Sequence, residues 1–471
     1  MSLLIPFPND LIKDTLKDVG EIYFFDGSTF FPNKCLQKKI NKKYFLDDLG
    51  YNQQHDYLKV KQELITSFPT YLRWGYISHD FSIELEMHIT YVLKIAQFLK
   101  KKKIEKVIFF TGSPHHIDTL LFQKACKLVR VKQFFLYTFL SERLQIIQQL
   151  DGVKDRKVIS ISKKRKDLSL KIINKYIRNV KLQKFPTGLK ESGTNKTWKR
   201  SYLLSIFLAF LYKLKFIFRK HDNFTLAREY SLFNLYKIIR DQNIFLRKYK
   251  KLSLNNDQVY GSLTSKIPKI IVAAHFQPEA TSFPEGEDYY SHITIIRKLR
   301  SLGYKDKIYY KEHPASQNYA DHIVGLNRVG IERNSKYIDE LEKLGCILLN
   351  FNFPISYKKK FVSKFVPITI NGSICLERAL MGYSTIYCGN ANWKGLPGTI
   401  HINDIKDLNI TILKMTKKNE NIKKRAKKFL VNLLANTISN LTGIGTGIKM
   451  NDPKLIKTFE SEFKEIFLAS K

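Results

Sequence analysis

The sequence has no pair of cysteines at zinc-ligand spacing. Its five cysteines, Cys35, Cys126, Cys346, Cys375 and Cys388, lie far apart, so a cysteine-based metal centre has no ligand set. An odd, scattered set of thiols is expected in a reducing compartment, and Cys375 and Cys388, set in apolar segments, read as small core residues. No basic region followed by an apolar stretch occurs between Met1 and Asp10, so no secretory signal is expected. Acidic groups are scarce: 42 Asp and Glu stand against 80 Lys and Arg, a formal net charge of +38. That excess suits an anionic partner, whether nucleic acid, an anionic membrane face or a phosphorylated substrate. The plain alternative is a lysine-biased composition, since isoleucine, asparagine and phenylalanine are abundant too. There is no Arg-rich stripe interleaved with aromatics, which speaks against a nucleic-acid partner. Neither an internal repeat nor an unbroken apolar run of the roughly 20 residues that a spanning helix needs is present. The nearest approach is Tyr202 to Phe218, which Lys213 and Lys215 interrupt. Flanked by Lys199, Arg200, Arg219 and Lys220, it is expected to be an interfacial helix on anionic lipid, with a buried helix as the alternative.

What is present is a folding chain of 471 residues, 44% hydrophobic and 13% aromatic, enough for two or three domains. The first β-α-β unit is expected from the strand Lys106 to Thr111, a loop through His116, a helix Asp118 to Val129 and a strand Lys132 to Tyr137, with parallel, right-handed pairing. From Pro268 onward strands and amphipathic helices alternate. The strands are Lys269 to Ala274, Lys307 to Tyr310, Cys346 to Asn350, Val366 to Ile370 and Ser384 to Tyr387, with a further one at Thr399 to Ile402. This pattern predicts a second doubly wound parallel sheet. The expected organisation is an N-terminal domain over 1–150, a basic helical insertion and connector over 151–255, a C-terminal domain over 256–450 and a closing helix over 451–471.

Four short polar patterns fall where these strands end, which is where open α/β sheets bind ligands. In Lys311-Glu312-His313-Pro314, Pro314 favours an extended His313. Lys311 supplies a point charge and His313 a directional donor for a departing phosphate. In Asn371-Gly372-Ser373-Ile374-Cys375-Leu376-Glu377 a helix begins at the serine, so its backbone N–H groups suit a phosphate. Glu377, on the face of Ser373, can accept from ribose hydroxyls; simple capping is the alternative. In His275-Phe276-Gln277-Pro278-Glu279, the carboxylate of Glu279 suits acid–base or nucleophilic work at a sugar, with His275 and Gln277 orienting its hydroxyls. In the first domain, His115, His116 and Asp118 come after a strand and suit an acceptor-side base or hydrogen-bonding role. Adjacent histidines diverge and no third ligand is evident, so a metal is not expected there.

Together with Gly389-Asn390-Ala391-Asn392-Trp393, these residues resemble the capsule and surface polysaccharide biosynthesis glycosyltransferases, the group that includes the β-Kdo transferases. That family's Gln-Val-acidic loop is similar to Gln277-Pro278-Glu279, and its Lys-Pro-His-Pro to Lys311-Glu312-His313-Pro314. Its Ser/Thr-x-x-Gly-Phe-Glu-Ala-Leu helix resembles Asn371 to Leu380, and its Tyr-Gly-x-Pro-Phe-Tyr-x-Gly-Trp-Gly run resembles Cys388 to Leu396. The match covers about residues 105–140 and 268–400. It departs from the family in having a single Glu after Pro278 and a displaced Trp393.

The resemblance implies an α/β fold of the GT-B type: two doubly wound, Rossmann-like domains facing a cleft, here with a basic helical insertion. It implies a nucleotide-sugar donor, CMP-Kdo where the family is characterised, with Lys311, His313, Ser373 and Glu377 holding the nucleotide and Glu279 at the acidic catalytic position. No Asp-x-Asp motif stands at a strand end, so a metal-independent reaction without a cofactor is expected. The expected partners are the donor, a lipid-linked or oligosaccharide acceptor and the anionic inner face of the cytoplasmic membrane. A CDP-linked polyol-phosphate transferase of the same fold is the rival enzyme. A nucleic-acid-binding protein and a silent membrane adaptor are the non-enzymatic alternatives.

Overall fold

The structure, a computed structural model, describes residues 2–6, 10–16, 22–25, 51–67, 81–110, 117–139, 143–149, 156–159, 166–181, 203–204, 206–207, 210–211, 232–262, 268–275, 285–317, 333–355, 359–439 and 452–467. Its strands are β1 (Ser2–Pro6), β2 (Ile22–Phe25), β3 (Ile104–Phe109), β4 (Lys132–Phe139), β5 (Arg143–Gln149) and β6 (Arg156–Val158). Further along the chain are β7 (Lys269–Ala273), β8 (Ile308–Lys311), β9 (Cys346–Leu349), β10 (Phe365–Thr369), β11 (Thr385–Tyr387), β12 (Thr399–His401) and β13 (Thr437–Ser439). The chain divides into two compact units, one of residues 1–165 with 434–471 and one of residues 166–433.

The first unit is built on a mixed sheet of order β13-β5-β4-β3-β1-β2, with β6 also on β5. The β2-β1-β3-β4 part is parallel, as the β-α-β reading of residues 106–137 requires. Beyond β4 the pairing turns antiparallel through β5, β6 and β13. Alternate residues serve the two faces, in keeping with the period of two in a pleated strand. Leu4, Val107, Phe109 and Phe135 pack under the helices Tyr51–Thr66, Phe81–Lys101 and Ile117–Leu128. Leu3, Ile5, Ile108, Phe134 and Ile438 face the other way, onto Phe459, Phe463 and Phe467. Those phenylalanines recur every four residues along the final helix, Pro453–Phe467, and so form one apolar stripe. A buried ion pair fastens that helix: Arg143 lies 3.2 Å from Glu462 and also donates to Thr437 and Ser439 on β13.

The second unit is the predicted doubly wound sheet. All its strands are parallel, in the order β12-β11-β10-β7-β8-β9. The chain runs outward from β7 through β8 to β9, then returns to β10 beside β7 and runs outward the other way. Both faces are buried, as a parallel sheet needs. Ile270, Val272, Tyr310 and Ile368 pack on the helices His292–Ser301 and Ser335–Lys343. Ile271, Tyr309 and Phe365 pack on Phe353 and Phe361.

Of the region read as an insertion, the helices Lys166–Lys181 and Leu232–Leu252 are described and belong to the second unit. Within the expected interfacial helix, Leu203, Leu204, Phe207, Phe210 and Leu211 are helical and exposed, Leu203 by 75%. Lys199, Arg200, Lys213, Lys215, Arg219 and Lys220 lie outside the described residues. No described helix is long and apolar enough to cross a membrane.

Candidate functional site

The reversal of strand order between β7 and β10 creates a switch point. There the connections leave the sheet in opposite directions and open a crevice above the carboxyl ends. His275 lies just beyond β7, Asn371-Gly372-Ser373 just beyond β10, and Lys311-Glu312-His313 at the end of the neighbouring β8. These three patterns, far apart in sequence, meet at one edge of one sheet.

His275 joins the two sides. Its ring is buried, and its Nε2 lies 2.8 Å from Thr369 Oγ1 and accepts from the Asn371 N–H at 3.3 Å. Burial pulls its pKa down to about 4, so it is neutral at pH 7. A glycine is required next door: a Cβ on Gly372 would stand 2.7 Å from Thr369 Oγ1 and 3.3 Å from His275 Nε2. The ring and the glycine thus explain each other, as a packing feature of the switch point. Asn371 donates to Glu285 Oε2 at 2.5 Å, and the Glu285 carbonyl accepts from the Asn390 N–H at 2.8 Å. That clasp holds together the ends of β10 and β11.

At the end of β8 the strand period separates neighbours. Glu312 continues the face of Tyr310 and is fully buried. It accepts from Tyr310 Oη, Arg333 Nε, the His313 N–H and Ser316 Oγ at 2.8, 2.8, 2.9 and 3.3 Å. Its own N–H donates to Tyr249. Arg333 is buried too, stacked over Tyr337 and 3.0 Å from His292 Nδ1. The other nitrogen of His292 accepts from the His275 N–H at 2.9 Å. Burial and the Arg333 charge drive the pKa of His292 well below its ordinary value. A buried carboxylate with four donors fixes the conformation of the loop it begins.

Lys311 points to the opposite face and is half-buried. Among the described residues its ammonium has no ion-pair or hydrogen-bond partner. Burial lowers its pKa to about 8, against the opposing pull of Glu312 and Glu377. His313, lowered to about 3 by burial and then by Lys311, carries no charge at neutral pH. Of these two, Lys311 is therefore the one that carries positive charge.

The helix Ile374–Met381 opens at Ser373, whose hydroxyl does not cap it. Instead Ser373 Oγ donates to Glu377 Oε1 at 3.0 Å. Simple capping by Ser373 is therefore not what these two residues do. Among the described residues no side chain caps the first N–H groups of the helix, and the positive end of its dipole lies at the strand ends.

The structure brings His275, Lys311, His313, Asn371, Gly372, Ser373 and Glu377 to one edge of the second unit. Gln277 and Glu279 lie outside the described residues, as do His115 and His116 after β3 in the first unit. Asp118 is in the helix Ile117–Leu128. Among the described residues no group of three His, Cys, Asp or Glu converges as a metal site. Sequence reasoning missed Glu285, His292, Glu312 and Arg333. Only Glu312 carried a signal, its place inside Lys-Glu-His-Pro one residue out of step with Lys311.

No family model matches the sequence, and no curated protein matches it. Among solved structures the chain is similar to a UDP-GlcNAc 2-epimerase from Methanocaldococcus jannaschii. The identity is 11%, over 91% of this chain and 98% of that one, with a TM-score of 0.23. A superposition this loose carries no argument about what the site does.

Proposed function

We propose that this protein is a glycosyltransferase of bacterial surface polysaccharide assembly, capsular or lipopolysaccharide. It takes a sugar from a nucleotide-activated donor, of the CMP-Kdo kind on the family resemblance, and passes it to a lipid-linked or oligosaccharide acceptor. The observation that carries this reading is Lys311: a half-buried ammonium without a partner among the described residues, at a Rossmann-type switch point, at the same sheet edge as a helix that its own first serine does not cap. A buried cation with nothing to pair with costs stability, and an anionic ligand offsets that cost. Phosphate at a helix N-terminus is the simplest such ligand.

In the reaction, the acceptor oxygen bonds to the anomeric carbon while the bond from that carbon to the donor's phosphate oxygen breaks. Negative charge grows on the leaving phosphate, and Lys311 and the neutral imidazole of His313 oppose it. Gly372 and Ser373 bring backbone N–H groups to the same oxygens, Asn371 being held in place by the bond from its N–H to His275, and Glu377 serves the ribose. Glu279 acts at the sugar, as base toward the acceptor hydroxyl or as nucleophile. The exposed apolar residues of 203–211 and the lysines and arginines that flank them support peripheral contact with anionic lipid at the cytoplasmic membrane face. The test is donor hydrolysis or transfer by Glu279→Gln and Lys311→Met. Full activity in both removes the assignment. Thermal shifts with CMP, CDP and UDP separate a sugar transferase from a CDP-polyol phosphotransferase, because only the right nucleotide stabilises strongly.

A further inference from the structure

Tyr176 lies in the region that the sequence reads as an insertion, on the helix Lys166–Lys181. That helix packs against the helix Ile374–Met381, the one that opens at Ser373. The Tyr176 side chain is 9% exposed, yet its hydroxyl has no hydrogen-bond partner among the described residues. A buried phenol left unpaired is unfavourable, and a phenylalanine would fill the same space without that penalty. The hydroxyl also lies in the field of the Glu377 carboxylate. Glu377 itself is half used: Oε1 accepts from Ser373, and Oε2 accepts nothing among the described residues.

An ionised carboxylate only accepts, and a phenol readily donates. A group that satisfies both must accept from one and donate to the other, which is what an alcohol does. Lys311 also lies in the field of the Glu377 carboxylate and takes the anionic part of the same ligand. We infer that Tyr176 is a ligand-binding residue of this site, donating to a ligand hydroxyl that in turn donates to Glu377 Oε2. The ligand class is a phosphorylated polyol, the hydroxyl belonging either to the ribose of a nucleotide or to the transferred sugar. The inference rests on the nucleotide reading of the site and extends it to a helix that no sequence motif marks.

The experiment is calorimetric titration of the full chain with CMP and UMP, their 2′,3′-dideoxy forms, and UDP-glucose. Wild type, Tyr176→Phe, Glu377→Gln and the double variant are compared, with the melting temperature of each unliganded protein as the check on folding. Tyr176→Phe is expected to melt at or slightly above wild type, since it removes only an unpaired hydroxyl. Its affinity for the ribonucleotides falls about five- to tenfold, while the dideoxy forms bind it as they bind wild type. The double variant loses little more than the worse single one, because both side chains serve one hydroxyl. If the loss is confined to UDP-glucose, the hydroxyl is the sugar's, and the role of Tyr176 stands. Equal affinity of wild type and Tyr176→Phe for every probe that binds, or fully additive losses, overturns the inference while leaving the nucleotide site intact. If wild type binds none of the probes, the nucleotide reading fails and this assignment fails with it.

Discussion

Replacing Lys311 by Met should make the protein more stable and less able to bind its donor. Burial lowers the Lys311 pKa from 10.5 to about 8. That difference corresponds to about 3 kcal/mol at pH 7 as an upper bound, and partial exposure of the side chain reduces it to roughly 1–2 kcal/mol. Met keeps the length of the stem and removes the charge. Spread over a unit of this size, the gain corresponds to a rise of about 2–6 °C in melting temperature. The pH dependence is more telling. Between about pH 8 and 10.5 the unfolded lysine holds a proton that the folded one has lost, so wild type gains stability as pH rises through that window. Below pH 8 both states are protonated and the penalty is constant. Lys311→Met lacks that slope. Nucleotide affinity runs the other way: it holds below pH 8 and weakens above it, and the loss in Lys311→Met, at least tenfold below pH 8, narrows at higher pH as wild type itself loses the charge. Thermal melts of both proteins from pH 6.5 to 10, with nucleotide titrations at each end, decide the matter. A variant that melts several degrees lower, or parallel pH profiles for the two proteins, would refute the reasoning.

Other residues give sharper structural tests. Gly372→Ala forces a methyl group against Thr369 and His275; it should cost about 1–3 kcal/mol in urea unfolding and weaken nucleotide binding through the displaced Asn371-Ser373 segment. Arg333→Met strands the buried Glu312 carboxylate and should cost about 3–5 kcal/mol; adding Glu312→Gln should restore much of that loss, read from denaturant midpoints. Arg143→Met should free β13 and the final helix of the first unit, seen as faster amide exchange over residues 437–439 with little change in β7 to β12.

Much of the second unit was legible because its strands are short apolar runs separated by amphipathic helices. Strand boundaries differ from expectation by a residue or so, as at β8, read as Lys307 to Tyr310 and formed over Ile308–Lys311. Polar residues after those strands pointed to the sheet edge, and the strand order explains why they meet. The antiparallel part of the first unit was not legible. β13 is only Thr437-Ile438-Ser439, and its pairing with β5 and its tie to Arg143 link residues nearly 300 positions apart, beyond any periodicity. Arg333 was invisible for the same reason: only the fold brings it to Glu312. Roles within motifs also changed once burial was known. His275, read as orienting a sugar, has its Nε2 occupied by Thr369 and Asn371. Glu312, given no role, proved to be the anchor beneath His313.

The most direct measurement is a crystal structure of the full chain with the nucleotide that raises its melting temperature most. The account predicts phosphate oxygens within hydrogen-bond reach of the Lys311 ammonium and the first N–H groups of the helix Ile374–Met381, and ribose hydroxyls at Glu377. Nucleotide bound away from the carboxyl ends of β7, β8 and β10, or Lys311 paired instead with a protein carboxylate, would contradict it.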